Sequence, residues 1–135
     1  IYFSCTDGGA RRCGQLWHYR PGEREATAKV GEPTGTLRLI AEPNDPAIFD
    51  RIDNVTVSPW GDVVACEDGP GGNSMVGITP EGGVYPLAFN SANASEFAGA
   101  TFSPDGSILF VNVQFPGVTY AISGPWRGPG PASRR

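Results

Sequence analysis

Apolar and polar residues alternate in short runs along this chain, and turns rich in glycine and proline separate the runs. Such a pattern is typical of β-strands joined by hairpins. One stretch, DNVTVSPWGDVVACEDG at 53–69, returns 45 positions later as AGATFSPDGSILFVNVQ at 98–114. A repeat of this length, made of strands and turns, indicates a β-propeller, in which each blade is a four-stranded antiparallel sheet.

The repeat predicts where the strands lie. The complete copy has four of them, at Asn54–Ser58, Val63–Cys66, Ser74–Thr79 and Val84–Phe89. Before it, IYFSC, QLWHYR and GTLRLIAE match the second to fourth strands of an earlier blade, and after it GATFS, SILFVNVQ and VTYAIS match the first three strands of a later one. We therefore predict an all-β fold with about three partial blades over residues 1–126, followed by a disordered tail at 127–135.

Three partial blades cannot close a ring, so we expect this chain to belong to a longer protein with further blades before residue 1. Two apolar runs, Val63–Cys66 and Ile108–Val111, are continuous rather than alternating, which predicts strands packed on both faces. The turns SPWGD and SPDGS place glycine where a tight hairpin needs positive φ, so Asp105 and Gly106 are interpreted as turn residues.

Composition narrows the class of partner and the redox chemistry. With 19 glycines and 13 prolines in 135 residues, the chain is rich in turns, and its net charge of −4 favours a cation over nucleic acid. No apolar run approaches the roughly 20 residues that span a bilayer. The three cysteines, Cys5, Cys13 and Cys66, show no Cys-x-x-Cys spacing, so buried free thiols are favoured. A disulfide between Cys5 and Cys13 is the alternative that the sequence allows.

Strand order divides the loops between two ends of the propeller, and acidic and amide residues collect at one of them. The residues concerned are Asp53, Asn54, Glu67, Asp68 and Glu96. Hard oxygen donors around one channel mouth suit Ca²⁺, which takes six to eight oxygen ligands. We therefore predict a metal site formed by these five residues.

Other hydrolytic chemistries find little support in the sequence. The single histidine, His18, lies inside the predicted strand QLWHYR, and no Gly-x-Ser-x-Gly motif is present. A serine triad is therefore not predicted, and no catalytic residue is assigned.

Three segments of the sequence are more specific indicators of a protein family than the turns they contain. IDNVTVSPWGDVVACEDG, SEFAGATFSPDGSILFVNVQFPGVTYAISGPW and the leading YFSCTDGG with GQLWHYRPG resemble the C-terminal end of the PhoX-type alkaline phosphatase family. This resemblance covers nearly the whole chain up to Trp126.

The resemblance implies a six-bladed bacterial propeller that hydrolyses phosphate monoesters with Ca²⁺ and Fe³⁺. It also implies export through the twin-arginine route, and hence a periplasmic or secreted protein whose remaining blades precede this chain. Under it, Glu96 is the leading metal-site candidate, followed by Glu67 and Asp68 and then by Asp53 and Asn54. Two alternatives stay open, namely a non-catalytic calcium-binding propeller and a lactonase-like calcium propeller hydrolase.

Overall fold

The computed structural model describes residues 1–32, 34–70 and 73–126 of the chain. Within these ranges the protein forms ten β-strands in three antiparallel sheets and contains no helix. None of the described residues therefore forms a helix able to cross a membrane. The predicted tail at 127–135 lies outside the described residues.

Each sheet follows the order of the chain, so strands adjacent in sequence are hydrogen-bonded neighbours. The first sheet consists of β1 (Tyr2–Cys5), β2 (Gln15–Pro21) and β3 (Gly35–Ala41). The second consists of β4 (Ile52–Val57), β5 (Val63–Glu67), β6 (Ser74–Ile78) and β7 (Val84–Phe89). The third consists of β8 (Phe97–Phe102), β9 (Ile108–Val113) and β10 (Val118–Ser123). All ten predicted strands are present, and their bounds differ from the prediction by at most two residues.

The second sheet lies between two hydrophobic cores. The core it shares with the first sheet contains Leu16, Ile40, Ala41, Phe49, Ile52, Val63, Ala65, Val76 and Ile78. The core it shares with the third sheet contains Val64, Cys66, Met75, Phe97, Ala100, Leu109, Val111 and Val113. Successive residues of β5 thus enter opposite cores, which confirms the packing of this strand on both faces and explains its unbroken apolar run.

The similar run in β9 behaves differently. Leu109 and Val111 are fully buried against the second sheet, but Phe110 remains 38% exposed on the other face. The described residues place no further sheet against the outer face of β9, so packing on both faces stays a prediction for this strand.

Tight turns connect β4 to β5, β6 to β7 and β8 to β9 at one end of the sheets. In the last of these, the Asp105 carboxylate accepts hydrogen bonds from the Ser103 hydroxyl at 2.6 Å and from the backbone N–H of Ser107 at 3.0 Å. The hydrogen bond from the Ser103 hydroxyl has the largest effect, and together these bonds lower the pKa of Asp105 to about 2. Gly106 follows with φ of 72°, so the interpretation of both residues as turn chemistry is confirmed.

The single histidine and the three cysteines are accounted for by their packing and burial. All three cysteines are free, with Cys13 and Cys66 buried and Cys5 half-buried, so the Cys5–Cys13 bridge is absent. The ring of His18 stacks on Tyr2 with centroids 4.4 Å apart. His18 thus packs within the first sheet, and the three cysteines form no disulfide with one another.

Candidate metal centre

Three carboxylates meet at the end of the sheets opposite the tight turns. Asp53 belongs to β4, Asp68 follows β5, and Glu96 immediately precedes β8. One carboxylate oxygen from each of the three lies within 4.8 Å of those from the other two. The structure thus brings together three of the five predicted site residues from two neighbouring sheets.

A β-bulge accounts for the direction of Asp53. Ile52 pairs with Glu67 and Asn54 pairs with Cys66, so Asp53 is an extra residue without a partner on β5. Bulges bend a strand locally and re-aim a side chain, and they are common beside functional sites. The Ser4 hydroxyl donates to the Asp53 carbonyl at 3.3 Å, which ties the bulge to the first sheet.

Glu96 is the least solvated member of the cluster. It is half-buried, whereas Asp53 and Asp68 are exposed. Burial raises the pKa of Glu96, and the negative charges of Asp68 and Asp53 raise it further. Its Oε2 atom is buried and has no hydrogen-bond partner among the described residues. An acceptor that is shielded from water and surrounded by like charges is a favourable place for a cation.

Asn54 stands beside the cluster in a supporting position. Its Nδ2 donates to Oδ1 of Asp53 at 2.8 Å, and its Oδ1 accepts from the backbone N–H of Gly99 at 3.3 Å. Gly99 lies at a second bulge, in β8, and has φ of 62°, a conformation that favours glycine. Asn54 therefore orients the Asp53 carboxylate and links it to the sheet that follows Glu96.

Glu67 lies away from the three carboxylates, although it is adjacent to Asp68 in sequence. It is buried, and its two carboxylate oxygens accept from the backbone N–H groups of Asp50 at 3.0 Å and Ser74 at 2.9 Å. Glu67 thus satisfies backbone donors in the β3–β4 loop and at the start of β6, and the structure gives it this role rather than a place in the cluster.

The loop that carries Glu96 is fixed by buried amides. Asn90 donates through Nδ2 to Oδ1 of Asn93 at 2.9 Å and to the carbonyl of Ser95 at 2.7 Å. Asn73 donates to the carbonyl of Ala94 at 3.1 Å. These bonds fix the backbone of the loop from which the Glu96 side chain extends.

A cleft of about 640 Å³ opens directly beside the cluster. It shares Asp68 and Glu96 with the carboxylate group. Its other walls come from the loops after β5, β7 and β9, through residues that include Asn73, Asn93 and Phe115. A small molecule in this cleft would therefore contact whatever the carboxylates bind.

The donor set fits a hard metal ion. Three carboxylates offer oxygen ligands of the kind that Ca²⁺ takes, and carboxylates also bind iron. Cys66 is near the cluster, but burial, followed by the charges of Asp53 and Glu96, raises the pKa of its thiol to about 12. The three carboxylates that the structure brings together thus offer an all-oxygen donor set.

Comparison with protein families decides the identity of the chain. The family model described as Alkaline phosphatase PhoX matches residues 1–117. This chain belongs to the PhoX alkaline phosphatase family. No match was found among curated proteins or among solved structures.

The region matched to the PhoX family contains the whole candidate site. Asp53, Asp68 and Glu96 lie within it, as does every wall of the cleft up to Pro116. An alkaline phosphatase family implies a small phosphorylated substrate and suggests dependence on metal ions. A cluster of carboxylates beside a cleft is a suitable arrangement for both.

The sequence pattern does not single out the two amides, Asn73 and Asn90, that fix the loop carrying Glu96. Asn73 and Asn90 stand alone in loops, and their role depends on carbonyls that they reach only after the sheets have formed. The sequence does offer one signal for this role, namely the asparagines in the two loops EDGPGGN and NSANASE at the acidic end. Buried amides in such loops commonly satisfy backbone groups, which is the use the structure makes of them.

The contacts of Glu67 lead to a prediction that separates it from Asp68. We expect Glu67→Gln to lower the free energy of unfolding by about 1–3 kcal/mol, because the amide can accept only one of the two backbone hydrogen bonds and leaves a buried donor unpaired. Urea denaturation followed by tryptophan fluorescence measures this loss. Metal bound per folded molecule should stay unchanged, and a loss of metal without a loss of stability would contradict this assignment.

Proposed function

We propose that this chain forms part of the metal centre of a phosphate monoesterase, with Asp53, Asp68 and Glu96 as ligands. The observation that carries the proposal is the approach of these three carboxylates within 4.8 Å of one another, with Oε2 of Glu96 buried and unpartnered among the described residues. Three like charges held this close are unfavourable unless a cation offsets them. We assign Ca²⁺ and Fe³⁺ as the metals, as the family resemblance implies.

The proposed scaffold is a six-bladed β-propeller in which the three observed sheets are consecutive blades. In support, all three sheets are antiparallel and follow chain order, and the central sheet packs on both faces. The missing blades of the ring would precede residue 1 and would bring further ligands to the same end. We also propose that the protein is periplasmic or secreted, as the resemblance implies.

The proposed reaction is hydrolysis of a phosphate monoester. A water oxygen forms a bond to phosphorus, the bond from phosphorus to the ester oxygen breaks, and the departing alcohol takes up a proton. A bound metal ion would offset the negative charge that develops on the phosphate oxygens. The chain's own residues hold and orient the site: the three carboxylates fix the cation position, Asn54 orients Asp53, and the loop amides fix the backbone of Glu96.

The test uses the full-length protein and p-nitrophenyl phosphate. We expect chelation with EDTA to lower turnover by at least about 100-fold, since metal ions contribute several kcal/mol to such reactions. Addition of Ca²⁺ and Fe³⁺ should restore activity, and elemental analysis of the untreated protein should find both metals. Calcium without iron and without phosphatase turnover would overturn the proposal in favour of a calcium-binding propeller.

A lactonase-like enzyme would give a different result in the same experiment. It would contain calcium alone, would leave p-nitrophenyl phosphate intact, and would open a lactone ring in a calcium-dependent way. Each of the three functions therefore predicts its own combination of metal content and substrate.

A further inference from the structure

The cleft beside the carboxylates has an unusual exposed aromatic residue on its wall. Phe115 lines the cleft and is 75% exposed. Its neighbours on the same wall include Pro116, and Pro70 and Ala94 add further apolar surface. A volume of about 640 Å³ is the size of a small-molecule site, so the apolar wall offers one face to a small ligand.

The backbone beneath Phe115 is rigidly tied to the segment that carries Glu96. The N–H of Phe115 donates to the Ser95 hydroxyl at 2.8 Å, and the N–H of Gln114 donates to the carbonyl of Glu96 at 3.1 Å. These bonds hold the backbone of Phe115 beside the backbone of the candidate metal ligand. A ligand held at the carboxylates would therefore lie within the same cleft as the ring.

A buried polar atom in the same cleft also lacks a partner. Asn73 is only 3% exposed and lines the cleft, and its Nδ2 is used by the Ala94 carbonyl. Its Oδ1 accepts no hydrogen bond within the described part of the chain. Unsatisfied buried acceptors are rare because they are costly, so Asn73 marks a polar point in the lining of an otherwise partly apolar cleft.

We propose that this cleft binds the organic leaving group of the phosphate monoester, and that Phe115 selects an aromatic group by stacking on its ring. The inference rests on the proposed function, because it takes the phosphate to lie at Asp68 and Glu96. It adds a class of substrate: esters of planar alcohols, such as aryl phosphates, are preferred over esters of small aliphatic alcohols. Stacked and edge-on aromatic contacts supply the selectivity.

The experiment compares two substrates in the full-length, metal-loaded protein. For Phe115→Ala we expect kcat/KM for phenyl phosphate to fall about tenfold, the size of one aromatic contact, and kcat/KM for glycerol 2-phosphate to change less than about twofold. Phe115→Trp should restore turnover of phenyl phosphate. Phe89→Ala is the matched control, because Phe89 is also exposed, at 62%, but lies outside this cleft.

The outcomes distinguish this inference from the proposed function. If the unmodified protein hydrolyses neither ester, the phosphatase assignment fails and the leaving-group site fails with it. If it hydrolyses both, and Phe115→Ala affects the two equally or not at all, only the leaving-group site is overturned. Equal metal content in all variants confirms that a change in kcat/KM does not arise from loss of the cation.

Discussion

Glu96→Gln is expected to lower phosphatase turnover of the full-length protein by at least about 100-fold while making the metal-free protein more stable. The substitution keeps the shape of the side chain and removes one of three negative charges that lie within 4.8 Å of one another. Without a metal, that charge repels Asp53 and Asp68 and is poorly solvated, so its removal stabilises the fold. With a metal, the same charge is needed for binding, and losing it costs affinity and rate.

Two measurements check this reversal of sign. Thermal unfolding in EDTA should give a higher midpoint for Glu96→Gln than for the unmodified protein, and added Ca²⁺ should raise the midpoint of the unmodified protein far more than that of the variant. Glu81→Gln is the matched control, because Glu81 is exposed in the turn between β6 and β7, away from the cluster. A variant that retained both metal and turnover would remove Glu96 from the site.

Such opposition between stability and activity is expected wherever like charges are held together for a ligand. In this chain the strain is maintained by ordinary contacts. The Asn90 amide holds the Glu96 loop and the Asn54 amide holds Asp53, so Asp53 cannot turn away from the cluster without breaking a hydrogen bond. The two sheets that supply the carboxylates are packed through one shared core, which restrains their relative positions.

The strands could be predicted from the sequence because their signals are local. Alternation and Gly/Pro turns locate every strand, and the largest errors occur where a bulge interrupts the period. Asn54 was predicted as the first residue of its strand, whereas β4 begins at Ile52, on the far side of the Asp53 bulge. A bulge adds a residue without a partner, so an alternating pattern cannot continue through it.

The sequence could predict at which end of the sheets the site lies, but not which residues form it. Strand order places Glu67 and Asp68 at the same level, and both are acidic. Side chains of successive residues in extended backbone point to opposite sides, so at most one of them can reach Asp53. Which one does so depends on the cross-strand register. The structure selects Asp68, while Glu67 accepts from the N–H groups of Asp50 and Ser74.

The periodicity of the sequence could not predict which loop residues enter the core. Phe49 lies in the connection between β3 and β4, within the segment PNDPAIFDRID, where no alternation marks it as buried. It is nevertheless 1% exposed and packs with Leu16 and Ile52 in the core between the first two sheets. Only the path of the loop across these sheets determines that Phe49, rather than the adjacent Ile48, is inside.

Phe49→Ala is therefore expected to lower the free energy of unfolding by about 3–5 kcal/mol, the cost of deleting a buried phenyl ring and leaving a cavity. Urea denaturation measures the loss, which is a large part of the 5–15 kcal/mol typical of a folded domain. Ile48→Ala is the control: Ile48 is 44% exposed, so we expect a loss of less than about 1 kcal/mol. Similar losses in the two variants would mean that Phe49 does not anchor the loop.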